Sequence, residues 1–234
     1  MAAQVELGKV TGVRVVLDLS FILTIALFIE PYFATGNIKT ISFGVIYLIG
    51  IAGSILVHEL AHAHVGRWSG ITPTHVEFNG LGGLCYFAGG KAASTRTDIL
   101  VSLAGPFSNL VLWGAFQELS VLALELPPEA GVITGLDRVS YVLAALASAN
   151  FWMFWFNLLP AFPLDGGNAL SAFLSTQMMI FQAKRIVAWC GMAVAALCVA
   201  MAVRYGIWML LLAIVIYAKN RDVLNSYKQP TERK

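Results

Sequence analysis

The sequence predicts an all-α polytopic membrane protein with about six transmembrane helices and a small re-entrant β-hairpin between the second and the third. Composition is the first indication, because 58% of the 234 residues are hydrophobic and only 12% are charged, against roughly 25% charged residues in an average soluble domain. The second is a series of uncharged runs, each near the ~20 residues that a helix needs to cross a bilayer. The third is an apolar, turn-rich segment that does not fit a helix.

Six runs are the predicted crossings. The sixth has only fourteen residues, which rise ~21 Å as a helix. It must therefore thin the bilayer, lean on the fifth crossing across the turn Arg204-Tyr205-Gly206, or fail to cross. In chain order the six runs are 15–33, 41–66, 98–117, 139–159, 186–203 and 205–218.

Basic residues support this count and set the orientation. With the N-terminus in the cytoplasm, the internal segments hold twelve Lys and Arg residues and the external segments three, which agrees with the excess of positive charge on cytoplasmic loops. We therefore expect a cell (inner) membrane protein with both termini in the cytoplasm and a cytoplasmic tail at 219–234. The internal residues are Lys9, Arg14, Arg67, Lys91, Arg96, Lys184, Arg185, Lys219, Arg221, Lys228, Arg233 and Lys234, and the external ones are Lys39, Arg138 and Arg204.

Two stretches interrupt the helical pattern. The segment ITPTHVEFNGLGGLCYFAGG (71–90) has β-branched and aromatic residues on both sides of a turn-prone NGLGG, which predicts the hairpin. Because it is too apolar for an ordinary loop, we expect it to fold back toward the helices, with a hairpin on the cytoplasmic surface as the alternative. In NLLPAFPLDGGNAL (157–170), two prolines and two glycines must break the helix beside Asp165.

Charge, cysteine content and length narrow the function classes. A net charge of +2, without basic residues interleaved with aromatic ones, argues against nucleic-acid binding. The three cysteines include no CxxC and lie in or beside apolar segments, so we expect core residues and not disulfides or metal ligands. The helices use most of the length, and 1–234 is therefore predicted to be a single domain. The sequence does not indicate an oligomeric state.

The motif HELAH at 58–62 carries the predicted chemistry. His58 and His62 are four residues apart, which places both imidazoles on one face of a helix, as two ligands of one metal ion require. Glu59 lies between them and can reach a water on that ion without becoming a ligand. Ionisable groups in an apolar crossing are expensive and mark function. We therefore predict a catalytic zinc site in the second crossing.

A catalytic zinc usually has three protein ligands, so a third donor is expected elsewhere in the chain. His64 points away from His62, about 200° around the helix. Asp165 is the preferred donor, because it follows the fourth crossing on the cytoplasmic side and lies in broken backbone. His75 and Glu77 in the predicted hairpin stay open as alternatives. Four acidic residues are excluded because they lie in the predicted external loop, Glu118, Glu125, Glu129 and Asp137.

Three motifs together resemble the site-2 proteases, zinc metalloproteases that cut within the membrane. They are HELAH at 58–62, AGPFSN at 104–109 and NLLPAFPLDGG at 157–167, in the order and spacing of the family. The resemblance covers a core of about 10–176, which leaves 177–218 as two additional helices. It implies an intramembrane metalloprotease domain in a minimal form, without the PDZ-like insertion or the CBS-like domain of many relatives.

The resemblance also implies roles for individual residues. His58, His62 and Asp165 would be the ligands of one Zn²⁺ per chain, and Glu59 would be the catalytic base. Asn157 would contact the substrate or the transition state, with interhelical hydrogen bonding as an equal alternative. Asn109, in AGPFSN, is a weaker candidate for the same role, and interhelical hydrogen bonding is the favoured interpretation for it. Transmembrane proteins or peptides would be the substrates and the lipid bilayer the surroundings, with the active site toward the cytoplasm.

Two other function classes use the same residues. In a metal-ion transporter, the His and Asp side chains would hold a passing ion, but Glu59 would have no water to deprotonate. In a haem or quinone subunit the histidines would bind the cofactor, which leaves Glu59 unexplained beside it. The sequence therefore favours the protease and keeps the transporter as its main alternative.

Overall fold

The computed structural model describes residues 4–80, 82–89, 94–125 and 133–227, apart from the side chains at 125, 133–137 and 205. Glu129 and the end of the predicted tail lie outside the described residues. The chain forms two compact units, unit 1 with residues 1–90 and 107–154 and unit 2 with residues 91–106 and 155–234. The elements are β1 Gln4–Val10, β2 Val13–Asp18, α1 Leu19–Phe33, α2 Ile38–Trp68, β3 Pro73–Asn79, β4 Gly82–Phe87, α3 Thr95–Glu125, α4 Ile133–Asn157, α5 Asp165–Leu174, α6 Ile180–Tyr205 and α7 Ile207–Ser226.

Four of the described helices are long and apolar enough to cross a membrane. They correspond to the second to fifth predicted crossings, and they make the chain an integral membrane protein. The helices α1 and α7 occupy the places of the first and sixth predicted crossings, and α1 has only fifteen residues. A count of six crossings therefore stays a prediction. The four candidate spans are Ile38–Trp68, Thr95–Leu124, Arg138–Asn157 and Ile180–Arg204.

A four-stranded sheet in unit 1 is larger than the hairpin that the sequence predicts. Its order is β1-β2-β3-β4, with antiparallel pairs at both ends and a parallel pair between β2 and β3. The hairpin of β3 and β4 lies between α2 and α3 in the chain, as expected, while its re-entrant depth stays a prediction. The prediction of a helix from residue 15 is wrong, because Val13–Asp18 form β2. Val13 and Val15 of this strand are buried while Arg14 between them is exposed, an alternation that is typical of a half-buried strand.

The first helix begins directly after β2 because Asp18 caps it. The Asp18 carboxylate accepts a hydrogen bond from the Ser20 backbone N–H at 2.8 Å and another from the Ser20 hydroxyl, which satisfies a donor that the first turn of a helix leaves without a partner. These hydrogen bonds lower the pKa of Asp18 below its ordinary value. The carboxylate is therefore ionised at neutral pH, where it also complements the positive end of the helix dipole.

The core of unit 1 joins the sheet to the turn of α2 that carries HELAH. Val13 of β2 and Val76 of β3 pack with Leu60 and Ala63 of α2, and Ala63 and Val76 have no exposed surface. A second cluster contains Val15, Phe21 and Phe78, in which the two phenylalanine ring centroids are 4.9 Å apart. Because buried apolar side chains stabilise by about 1.5–3 kcal/mol each, the sheet fixes the position of this turn.

Unit 2 contains a helical hairpin of α6 and α7 with the short helix α5. The turn between α6 and α7 is at Gly206, whose φ of +83° favours glycine, as the sequence predicts. The buried core consists of small and aliphatic side chains from both long helices and from the segment that precedes α5. Its members are Ala161, Ala195, Cys198, Ala213 and Ile216.

Candidate metal centre

One turn of α2 brings His58, Glu59 and His62 together. One ligand atom from each residue lies within 4.8 Å of the other two, and each residue is at most 7% exposed. The imidazole rings are 4.8 Å apart between centroids and nearly perpendicular. Two nitrogens bound to one zinc ion lie at most ~4.2 Å apart, because each Zn–N bond is ~2.1 Å. This donor set therefore fits a zinc ion after a small movement of the side chains.

A neighbouring amide sets the tautomer of His58. The Nδ1 atom of His58 is 2.5 Å from the Oδ1 atom of Asn109 in α3. The Asn109 Nδ2 atom donates to Oδ1 of Asn150 in α4 at 2.8 Å, which identifies the oxygen end of the Asn109 amide. An amide oxygen only accepts hydrogen bonds, so the His58 proton lies on Nδ1 and the ring lone pair is on Nε2. This is the tautomer that binds a metal through Nε2.

The hydrogen bonds continue from Asn109 through two further residues. The Asn150 Nδ2 atom donates to the Ser54 hydroxyl at 2.9 Å and to the Leu146 carbonyl at 2.9 Å. Ser54 in turn donates to the Gly50 carbonyl at 2.9 Å. Asn109 and Asn150 have no exposed surface. We call His58, Asn109, Asn150 and Ser54 the amide chain; its hydrogen bonds tie α2, α3 and α4 together.

Of the two asparagines in the amide chain, sequence reasoning identifies Asn109 as a candidate and misses Asn150. Asn109 makes the interhelical hydrogen bonds that are the favoured interpretation of its sequence position, while any contact with substrate stays a prediction. Asn150 was not a candidate. The available signal was an amide inside an apolar crossing, which is expensive unless another helix supplies its partner. The sequence does not say which helix that is.

We expect Asn109→Leu to weaken zinc binding about 10- to 100-fold, because loss of a hydrogen bond to the second nitrogen of a metal-bound histidine typically has this effect. Asn109→Asp separates the two contacts of this residue, since a carboxylate still accepts the Nδ1 proton but cannot donate to Asn150, and it should bind zinc more tightly than the leucine variant. Competition with a zinc chelator measures both affinities in purified protein. A leucine variant that binds zinc as tightly as the parent would contradict the role of Asn109.

A glycine of the hairpin leaves room for the Glu59 side chain. A Cβ atom built on Gly83 of β4 would lie 2.5 Å from Glu59 Cγ and 2.8 Å from Glu59 Oε1. Real Cβ atoms do not approach other atoms this closely, so β4 holds the carboxylate at a distance that only glycine permits. The second glycine of the LGG sequence thus has a packing reason in addition to its place near the hairpin turn.

Other polar groups near the motif have different partners. His64 binds the Leu60 carbonyl of its own helix through Nδ1 at 2.6 Å. His75 stacks on Tyr86 with ring centroids 4.5 Å apart, and the Glu77 carboxylate accepts a hydrogen bond from Gln4 at 2.9 Å. Within residues 4–80, 82–89, 94–125 and 133–227, the His58, Glu59 and His62 group is the one cluster of three such donors.

Cys85 of β4 is not a ready nucleophile or ligand. Burial raises the pKa of its thiol to about 12, with a smaller contribution from the Glu59 carboxylate. With this pKa, Cys85 stays a protonated thiol at neutral pH. The thiolate is the form that reacts and binds metals. This agrees with the expectation that the cysteines are packing residues.

The other two predicted site residues belong to unit 2. Asn157 ends α4 and Asp165 begins α5, on either side of the broken segment 158–164. The glycines after Asp165 have a steric cause, since a Cβ atom on Gly166 would lie 2.2 Å from the Leu158 carbonyl oxygen and one on Gly167 2.6 Å from the Ala161 carbonyl carbon. The segment packs directly on the first turn of α5. Ligation by Asp165 and substrate contact by Asn157 stay predictions.

Known proteins are similar in sequence to this chain. Residues 129–201 match the sequence model of peptidase family M50. Rip3 from Mycobacterium tuberculosis is 32% identical over 182 residues, which are 74% of this chain and 44% of Rip3. The zinc metalloprotease MJ0392 from Methanocaldococcus jannaschii is 24% identical over 195 residues, 83% of this chain and 52% of that protein. The chain spans about half the length of these relatives.

A solved structure has the same overall fold. The site-2 protease from Methanocaldococcus jannaschii aligns with a TM-score of 0.63 over 99% of this chain and 100% of that one, at 20% sequence identity. At this identity the likeness concerns the fold alone.

Proposed function

We propose that this chain, a member of the site-2 protease family (peptidase family M50), is an intramembrane zinc endopeptidase that hydrolyses peptide bonds within or near transmembrane segments of membrane proteins. The observation that carries the proposal is the buried His58, Glu59 and His62 group on a helix long and apolar enough to cross a membrane. The hydrogen bond that His58 Nδ1 donates to Asn109 Oδ1 supports it, because it selects the metal-binding tautomer of His58.

His58, His62 and Asp165 are the ligands in this proposal, and they would hold one Zn²⁺ per chain. When bound, zinc would supply a Lewis acid that polarises the scissile carbonyl and acidifies water toward a pKa of ~7. The three ligands leave a fourth position for water, as catalytic zinc sites do. Together with Glu59 they contribute two negative charges, which a divalent cation balances in apolar surroundings.

Glu59 is the general base and then the general acid. Its carboxylate takes a proton from the attacking water while the water oxygen forms a bond to the carbonyl carbon. The bond between that carbon and the peptide nitrogen then breaks, and Glu59 returns the proton to the leaving amine. Asn157 is proposed to contact the substrate or the transition state. The amide chain holds the His58 ring in one orientation throughout.

The substrate segment must unwind before it can react. A transmembrane helix hides its carbonyl groups in its own hydrogen bonds, so a few residues must become extended at the site.

Water must also reach Glu59, and we propose a short polar path from the cytoplasmic side, because the distribution of basic residues favours that side for HELAH. Labelling of a cysteine introduced at either terminus in intact cells tests the orientation. A terminus that a membrane-impermeant reagent labels from outside the cells would contradict it.

Cleavage by the purified chain tests the proposed function. Reconstituted in lipid vesicles, the chain should cut single-crossing test substrates, contain close to one zinc per chain, lose cleavage when a chelator removes the metal and regain it when zinc returns. Zinc-loaded protein that cuts none of a panel of unrelated transmembrane substrates, while moving metal across the vesicle membrane, would favour the transporter instead.

We expect Gly83→Ala to lower the rate of cleavage about 100-fold while zinc content stays unchanged. The added Cβ must displace the Glu59 carboxylate, and a displacement of about 1 Å at a catalytic group can cost this much. Gly114→Ala is the matched control, because a Cβ atom there meets no other atom within 4 Å. Turnover rates at saturating substrate compare the two variants. Equal turnover rates for the Gly83 variant and the parent would show that β4 does not position Glu59.

A further inference from the structure

Asn220 of α7 is a fully buried amide that binds the broken segment before Asp165. Its Oδ1 atom accepts a hydrogen bond from the Phe162 backbone N–H at 3.2 Å, and its Nδ2 atom donates to the Phe162 carbonyl at 2.7 Å. Asn220 has no exposed surface. It lies beyond residues 129–201, which match the family model, and neither the zinc ligands nor the catalytic base explains it.

The side-chain amide of an asparagine can pair with both the backbone N–H and the backbone C=O of a single residue. One end accepts from the Phe162 N–H and the other donates to the Phe162 C=O, as a neighbouring strand would. The second hydrogen of Nδ2 is used within α7, because the same atom also donates to the Ile216 carbonyl at 2.7 Å. This additional bond fixes the orientation of the amide. A leucine of similar size lacks both functions, and an aspartate cannot donate.

The facing helix is shaped to admit this amide. A Cβ atom on Gly191 of α6 would lie 2.2 Å from Asn220 Oδ1 and 2.3 Å from Cγ. Both helices of the α6 and α7 hairpin therefore contribute to holding Phe162. Helix α7 supplies the Asn220 amide, and α6 leaves room for it at Gly191.

The segment needs such a partner because its own backbone satisfies only some of its polar groups, such as the N–H groups of Leu159, Ala161 and Leu164. Residues 158–164 lie between two helices and include Pro160 and Pro163, which have no N–H to donate. Irregular backbone at membrane depth is tolerated only where protein or water supplies its hydrogen bonds. Phe162 is three residues before Asp165, and the Leu164 N–H donates to the Ala161 carbonyl at 2.8 Å. Holding Phe162 thus fixes the start of α5, where the Asp165 side chain emerges.

We propose that Asn220 is a positioning residue for the metal site, which acts by holding the 158–164 segment so that the Asp165 carboxylate is in place to bind zinc. This inference rests on the proposed function, because it takes Asp165 as the third ligand. It assigns the last helix of the chain a role in metal affinity, although that helix contributes no ligand.

The experiment compares zinc affinities by chelator competition in purified full-length protein. We expect Asn220→Leu to weaken zinc binding about 10- to 100-fold, the usual effect of losing support for a ligand. Asn225→Leu on the same helix is the matched control, because Asn225 is exposed, and it should bind as the parent does. Gly191→Ala should weaken binding in the same direction, since its Cβ atom displaces the amide. It serves as the second test if Asn220→Leu does not fold.

Combining the substitution with Asp165→Ala separates positioning from a general loss of structure. If Asn220 acts through Asp165, Asn220→Leu should change the residual zinc affinity of the Asp165→Ala protein less than ~2-fold, because coupled residues are not additive. The same 10- to 100-fold loss in both backgrounds would overturn the proposal, as would parental affinity in both folded Asn220 and Gly191 variants. If Asp165→Ala itself leaves zinc affinity unchanged, the ligand assignment of the proposed function fails instead.

Discussion

Glu59→Gln should abolish peptide hydrolysis and leave zinc bound. Glutamine has nearly the same shape as glutamate but cannot accept a proton from water at neutral pH, so the step that generates the nucleophile is lost. General acid and base groups typically contribute 10²- to 10⁴-fold to the rate, and Glu59 serves in both roles. We therefore expect a loss of at least about 10³-fold in turnover. Metal analysis and cleavage of a single-crossing substrate by the same preparation measure the two quantities.

Glu118→Gln is the matched control for this change, because Glu118 is exposed on α3. It should cleave as the parent does. The Glu59 variant also distinguishes the protease from the metal-ion transporter, since a transporter has no need for a base beside metal-bound water. If the parent cleaves no substrate, and both the parent and the Glu59 variant move metal across the vesicle membrane at the same rate, the protein is a transporter and the proposed function is wrong.

Asp165→Ala should remove zinc and activity together. Loss of one of three protein ligands removes a charged donor and opens the site to water, so the zinc affinity should fall well beyond the roughly 10- to 100-fold that loss of a supporting hydrogen bond causes. Cleavage should disappear at zinc concentrations that saturate the parent. Asp98→Ala provides the control, because Asp98 is exposed in the first turn of α3. Equilibrium dialysis against buffered zinc measures the affinity.

The result also decides between Asp165 and the alternatives in the hairpin. If Asp165→Ala retains parental zinc affinity while substitution of His75 or Glu77 destroys it, the third ligand lies in β3. The hydrogen bond from Gln4 to Glu77 and the stacking of His75 on Tyr86 already occupy these two side chains with other partners. We therefore expect their substitution to leave zinc bound.

Features of local origin could be predicted from the sequence. The four-residue spacing of His58 and His62 is a property of one helix, and their proximity in α2 follows from it alone. The candidate spans follow from the length and apolarity of single runs. The breaks at Pro160, Pro163 and Gly206 follow from the backbone limits of individual residues. In each of these examples the physical cause lies within a few residues of its effect.

Features that depend on distant partners could not be predicted in the same way. The sequence predicts that an apolar helix begins at residue 15, because it does not show that β2 pairs with β3 in parallel, Arg14 opposite His75 and Leu17 opposite Phe78. The amide chain likewise requires the depth and rotation of three helices. Gly83 belongs to a turn-prone sequence, but its contact with Glu59 depends on the register of β4 against α2. Sequence spacing contains none of this information.

The parallel pairing of β2 with β3 has a consequence for the order of biosynthesis. The ribosome makes β2 first, then α1 and α2, and only afterwards the strand that β2 must join. Pairing across such an interval carries a large loop-closure entropy, which is compensated only once the distant contacts form. The HELAH turn is therefore synthesised before the strands β3 and β4 that pack against it, and competence to capture metal is a late event in maturation.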